Sequence, residues 1–168
     1  VLLIEGDIRR RVFAEYFDIK SEENLLTVLS GETSLSDAVI RTTELGADIL
    51  VGGESKANAA NVFSSDAFCE LLKHAREMYD YIVIDTPPVL VVPDARVIGQ
   101  SVDAILYTVK WDQTTKRQVQ EGLKSFESVN LSITGLVLSQ ISAKGMKRYG
   151  YGDSYGAYGR YGQAYYDN

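Results

Sequence analysis

The sequence predicts an α/β domain of three layers, a parallel sheet with helices on both faces, followed by a tail that does not fold. Three observations carry this. Short continuous apolar runs alternate with amphipathic helical stretches, the pattern of strands buried on both sides of a parallel sheet. The apolar share of 45% suffices for a real core in one domain of 168 residues. From Ala143 onward the composition changes to alternating Tyr and Gly, with no aliphatic side chain larger than alanine after Met146. Glycine at that density raises the entropy cost of ordering, and no apolar pattern offsets it.

The elements follow in order. Val1–Ile4 reads as a strand that ends in the charged cluster Glu5-Gly6-Asp7-Ile8-Arg9-Arg10-Arg11. Asn24–Leu29 and Leu35–Ile40 read as short helical turns separated by a stop at Gly31. Ala47–Val51 is an apolar run ahead of Gly52-Gly53. Ser64–Tyr79 is an amphipathic helix, with Phe68, Leu71, Leu72, Ala75, Met78 and Tyr79 at helical spacing and Ser64 or Ser65 to cap it. Tyr81–Ile84 reads as a buried strand ending at Asp85 and stopped by Pro87-Pro88. Pro93–Gly99 is a short helix, Ala104–Val109 a strand, and Thr114–Val129 a helix with Val119, Leu123 and Phe126 on one face. Ile133–Ile141 is the last strand. The single cysteine, Cys69, excludes an internal disulfide and reads as a buried structural thiol. The chain opens without Met inside an apolar run, which reads as an N-terminally truncated domain.

Charge narrows the function. The net charge of -6 argues against a nucleic-acid partner, which would need a basic face. It is unevenly spread: Lys144, Lys147, Arg148 and Arg160 against Asp153 and Asp167 leave the tail at +2 and the rest at -8. No apolar run approaches the ~18 residues of a membrane span.

Ligands of parallel α/β sheets gather at the carboxyl ends of strands. Acidic residues sit at two such ends: Glu5 with Asp7, and Asp85 in Ile-Val-Ile-Asp-Thr-Pro-Pro. A carboxylate after a buried apolar strand is the Walker B arrangement, which reaches Mg²⁺ directly or through water. Taken alone, Asp85 serves equally as a turn residue, and Glu5 and Asp7 read as loop charge paired with Arg9–Arg11. Their shared position at strand ends of one sheet favours the metal reading. The phosphate cradle Gly-x-x-x-x-Gly-Lys-Ser/Thr does not occur in the chain. It is expected upstream of Val1. His74 reads as solvent-facing. Trp111 reads as rim packing or the wall of a nucleotide pocket.

Val1–Arg9 resembles the Walker A′ motif, an apolar strand followed by Asp-x-Asp-x-Arg, of the bacterial tyrosine kinases of capsule and exopolysaccharide synthesis. Tyr81–Pro88 resembles their Walker B, Asn58–Phe68 lies where they carry Asn-Pro-x-Glu-Leu, and the tail is similar to their C-terminal tyrosine cluster. Walker B alone is shared with ParA- and MinD-type ATPases; the tyrosine tail is more specific. The resemblance implies a P-loop NTPase-like fold, partial from Walker A′ onward over residues 1–142, with a flexible tail over 143–168. It implies ATP-dependent phosphoryl transfer with Mg²⁺, the metal held by Asp7 and Asp85. Glu5 would act as base near the tyrosine hydroxyl. From the residues themselves, Arg9 with Arg10 and Arg11 reads equally as a group that positions phosphate or bridges to a neighbouring protomer and as a solvated or salt-bridged cluster. Tyr149, Tyr151, Tyr155, Tyr158, Tyr161, Tyr165 and Tyr166 would be the phosphoacceptors. The implied setting is the cytoplasmic face of the inner membrane. The implied partners are neighbouring protomers for trans-phosphorylation, a membrane polysaccharide co-polymerase segment and a cognate tyrosine phosphatase. The chain departs from the family in three places. Glu5 stands for the first Asp, Ala59-Ala60-Asn61 for Pro-x-Glu, and Ser139 for an Asn near the adenine. Two other functions stay open on these residues: a ParA/MinD-like switch ATPase, and a non-catalytic interaction module with a degenerate site.

Overall fold

A computed structural model describes residues 1–42, 45–54, 58–142 and Gly145. The tail expected to be disordered, with its seven tyrosines, lies outside the described residues apart from Gly145. The central strand is β1 (Leu2–Glu5), flanked in parallel by β3 (Ala47–Leu50) and β4 (Ile82–Asp85). Alternation along β1 feeds two cores. Leu2 and Ile4 enter the main core, with Phe63, Phe68, Leu71, Leu72 and Ile98. Leu3 packs on the opposite face against the cluster of Phe13, Ile49 and Val51.

Two expectations about the sheet need correction. The sheet is mixed, because β2 (Ile40–Thr42) pairs antiparallel with β3. The stretch expected to be helical through Ile40 ends earlier, at α3 (Leu35–Ala38), where Val39 turns extended. Gly46, at φ +61, lies in the turn that sends the chain back as β3. The sheet is also divided. The order β2-β3-β1-β4 forms one part, while β5 (Leu106–Lys110) and β6 (Gly135–Ser139) pair in parallel in a second.

The long helices form where the apolar spacing places them. In α5 (Asp66–Met78), Ser65 caps the start by accepting from the Phe68 amide, and Phe68, Leu71, Leu72 and Ala75 are buried. Met78 is exposed, because the helix ends there and Tyr79 is already extended. In α7 (Lys116–Glu127), Thr115 and Gln118 form a capping box, and Phe126 is buried. Gly122 of α7 lies against the Tyr107 ring, where a Cβ would collide with it.

Shorter helices complete the fold: α1 (Phe13–Tyr16), α2 (Leu25–Leu29), α4 (Ala59–Phe63) and α6 (Asp94–Gly99). Neither α1 nor α4 has an apolar repeat long enough to predict it. Asn58 caps α4 by accepting from the Ala60 amide, so the Ala-Ala-Asn substitution still starts a helix. Helix α6 joins the two sheets. Its Ile98 packs with Ile82 and Ile84, and its Ala95 with Phe126, Ile105 and Tyr107. Among the described residues, β4 and β5 each keep one unpaired edge. Apolar side chains on these strands and on β6 are open to solvent, with Val83 at 51% and Leu106 at 65% exposure, so the strand expected to be buried, β4, is covered on one face only.

Candidate phosphoryl-transfer site

The parallel register of β1 and β4 pairs Glu5 with Asp85, and the Gly6 amide donates to the Asp85 carbonyl at 2.8 Å. Three acidic residues therefore converge at the carboxyl ends of two adjacent strands, as the sequence predicts. Their environments differ sharply.

Glu5 is fully buried. Its Oε1 accepts from the Phe13 amide and its Oε2 from the Gly52 amide, both at 2.7 Å. The carboxylate thus ties the end of β1 to the segment that enters α1 and to the turn after β3. A Cβ at Gly52 would stand 3.1 Å from Oε2, tighter than an ordinary contact, so a larger residue there would press on the clamp. The role of base needs an oxygen that a tyrosine hydroxyl can reach. In this conformation Glu5 offers none, and its geometry is that of a clamp.

Asp7 is nearly buried, and its Oδ1 accepts from the Arg9 and Arg10 amides at 3.2 and 3.0 Å. Oδ2 makes no hydrogen bond among the described residues. Arg11 donates its amide to the Asp7 carbonyl at 3.0 Å and takes φ +50, closing the turn. Asp85 is open to solvent. Its pKa is raised from the ordinary 3.8, first by desolvation, then by the charges of Asp7 and Glu5, against a lowering hydrogen bond from the Thr86 backbone.

No group of three or more metal-ligating side chains occurs among the described residues. Mg²⁺ does not need one, because it is bound by one or two carboxylates together with waters and substrate phosphates. Asp7 Oδ2 and the Asp85 carboxylate fit that donor set.

The raised pKa has a sign that can be tested. Such a group contributes stability below its unfolded value, and the contribution is lost as pH rises through the folded value. Ionised Asp85 therefore weighs against folding at neutral pH. Asp85→Asn is expected to raise the melting temperature at pH 7. The gain should vanish below about pH 3.8, the unfolded value. Thermal melts of both forms across that range check it.

Arg9 is paired with Asp94 through two of its three guanidinium nitrogens. Its Nε donates to Asp94 Oδ2 at 2.9 Å and its Nη2 to Asp94 Oδ1 at 3.2 Å, and Asp94 is fully buried. The hydrogen bond to Asp94 is the main cause that raises the Arg9 pKa. Asp94 escaped the sequence reading because Pro93-Asp94 looks like any helix start; nothing local marks it as buried. The backbone donors of Phe13 and Gly52 were equally invisible, since no side-chain pattern announces them.

Other candidates fall outside the site. His74 lies on the exposed face of α5, its Nδ1 3.6 Å from Glu77. Cys69 is half-buried rather than fully buried. The Trp111 ring lies beside Gly145, and the Trp111 amide donates to the Ser139 carbonyl. Ser139 ends β6 with its Oγ 3.4 Å from the Val109 carbonyl.

Comparison with known proteins gives the family of the chain. The AAA domain family matches residues 1–135. The chain belongs to that family. Its relatives include a tyrosine-protein kinase of Acinetobacter johnsonii, 34% identical over 142 residues, covering 84% of this chain and 19% of the relative. The crystal structure of the VpsO kinase domain superposes with a TM-score of 0.78 at 33% identity, covering 84% of this chain and 70% of that one. The septum site-determining protein MinD of Pyrococcus horikoshii, solved with Mg-ADP, superposes at 0.62 with 20% identity, covering 82% of this chain and 56% of that one. That likeness concerns the fold alone. The P-loop NTPase-like α/β fold and the kinship with bacterial tyrosine-protein kinases thus stand as the sequence predicts. The chain spans about a fifth of the length of the curated relatives it matches.

Proposed function

We propose that the protein carrying this chain is an autophosphorylating tyrosine kinase that regulates exopolysaccharide or capsule polymerisation and export. The observation that carries the proposal is the pair Asp7 and Asp85, set on adjacent parallel strand ends with open oxygens, in a chain whose relatives are tyrosine-protein kinases. Asp7 through Oδ2 and Asp85 would hold Mg²⁺, which when bound neutralises charge on the ATP phosphates. Glu5 fixes the strand ends through its two amide hydrogen bonds. In the transfer, the tyrosine Oη–P bond forms, the bond from Pγ to the ADP oxygen breaks, and the hydroxyl proton leaves. Of the three acidic side chains, Asp85 is the most exposed, and its carboxylate would receive that proton. Arg9 positions its loop through the Asp94 carboxylate.

The phosphate cradle belongs, in this proposal, to a segment outside the chain, and the edges of β4 and β5 that are unpaired among the described residues suit the addition of a parallel strand. The acceptors are the tail tyrosines, Tyr149, Tyr151, Tyr155, Tyr158, Tyr161, Tyr165 and Tyr166. Each phosphate adds about -1.5 to -2 charges, so multiple modification would turn a +2 tail strongly negative. The proposed setting is the cytoplasmic face of the membrane, with a polysaccharide co-polymerase segment, neighbouring protomers and a phosphatase as partners.

Mass spectrometry of the full-length protein incubated with ATP and Mg²⁺ tests this. Phosphate is expected on tail tyrosines, and Asp85→Asn should lower its rate of appearance by about 10²–10³-fold. ATP hydrolysis with an unmodified tail would instead support the switch-ATPase reading.

A further inference from the structure

We propose that the Arg9–Asp94 pair is a positioning device that orients the Asp7 carboxylate for a divalent cation by tying the loop after β1 to the start of α6. This rests on the metal-site reading above and adds two residues to it. The physical chain has three links. The Arg9 and Arg10 amides hold Asp7 Oδ1 and leave Oδ2 without a hydrogen bond among the described residues. The Arg9 side chain grips both oxygens of Asp94 through Nε and Nη2, a planar fork that fixes direction as well as distance. Asp94 is immovable, because it is fully buried and its helix is anchored by Ala95 and Ile98 in two separate cores. Asp94 also closes the segment that begins at Asp85, so one ion pair spans both carboxylate-bearing loops.

Energetics point the same way. A buried ion pair rarely stabilises a fold more than a well-packed apolar pair would, because desolvation offsets the attraction. What the fork supplies is geometry. Arg9 remains 44% exposed, whereas Asp94 has no exposure. Loss of Asp94 therefore leaves an arginine that water can hydrate, and the Asp7 turn is then free to reorient.

The test uses the full-length protein with Mn²⁺ as the probe, its binding followed by electron paramagnetic resonance in the presence of ADP. Asp94→Asn is expected to weaken Mn²⁺ binding about tenfold or more, while ADP affinity measured without metal stays unchanged. Asp7→Asn should weaken Mn²⁺ binding too, and adding Asp94→Asn to it should change nothing further, since Asp94 acts through Asp7. Arg9→Lys keeps the charge but loses the fork, and should weaken Mn²⁺ binding even if Asp94→Asn fails to fold. Wild-type Mn²⁺ affinity in Asp94→Asn or in folded Arg9→Lys, or effects of Asp7→Asn and Asp94→Asn that multiply, would overturn the inference alone. Wild-type protein that binds no Mn²⁺ with ADP would overturn the metal-site reading itself.

Discussion

Glu5→Gln is expected to lower the unfolding free energy by about 2–4 kcal/mol, measured by urea denaturation of the full-length protein. Both groups that face the Glu5 carboxylate are backbone N–H donors, Phe13 on one oxygen and Gly52 on the other. An amide side chain has only one acceptor oxygen, so its NH₂ must point at one of these donors. Hydrogen bonds to a charged acceptor contribute roughly 1.5–3 kcal/mol, and a buried donor left without a partner costs about 1–3 kcal/mol. The residue is fully buried, so water cannot fill the gap. Glu5→Ala should cost more, about 3–5 kcal/mol, because it orphans both amides and opens a cavity. Glu5→Asp separates the clamp from the base. It matches the family pattern that the sequence resembles but shortens the reach by one methylene. A clamp predicts lost stability and no gain in phosphorylation. A base predicts a rate that rises or holds, and that outcome would sink the clamp assignment.

Gly6→Ala is expected to cost about 3 kcal/mol or more and to abolish divalent-cation binding, read by the same denaturation and by Mn²⁺ titration. A Cβ at Gly6 would lie 2.5 Å from the Asp85 carbonyl oxygen and 3.0 Å from Ile84 Cγ2. The oxygen cannot yield, because it accepts the Gly6 amide itself and is part of the β1–β4 ladder. Overpacking of a tight core typically costs about 1–3 kcal/mol, and the strained hydrogen bond adds about 1 kcal/mol. The functional loss follows from position. Gly6 lies between Glu5 and Asp7, so the displacement needed to admit a methyl group moves both carboxylates away from Asp85. If Gly6→Ala kept wild-type Mn²⁺ affinity, the site would not depend on the close approach of these two strands.

Asp85→Asn acts on stability in the opposite sense, because it removes a charge that desolvation and two neighbouring carboxylates disfavour. The substitution should stabilise the fold at neutral pH while removing the proposed phosphoryl transfer. That combination is the usual mark of charge crowded together for function at some expense of stability.

Much of this was legible in the chain. Apolar runs placed every strand except β2, because each of the other strands is written as a short continuous apolar run. The spacing of Phe68, Leu71, Leu72 and Ala75 placed α5, and Asp85 at a strand end followed by Pro-Pro marked the site. Strand β2 was missed because Ile40-Arg41-Thr42 is too short for its period to be counted, and antiparallel pairing with β3 rather than propensity holds it. The short helix α1 was missed for a similar reason: Phe13 and Phe17 pack on the outer face of the sheet through contacts distant in sequence.

By itself, the sequence determined the fold class, the acidic character of the strand ends and the tyrosine-rich tail. Each of these is written in local order, as composition, periodicity or a motif of adjacent residues. Only the tertiary structure decided what each acidic residue faces. Glu5 meets two amides that lie 8 and 47 residues away, and Arg9 meets a carboxylate 85 residues away. No pattern of neighbours along the chain encodes such partners, because they are set by which strand ends and helix starts the packed sheet brings together. That is why one carboxylate is tied by two amides and another keeps an oxygen free of hydrogen bonds among the described residues, although in the sequence they stand two residues apart.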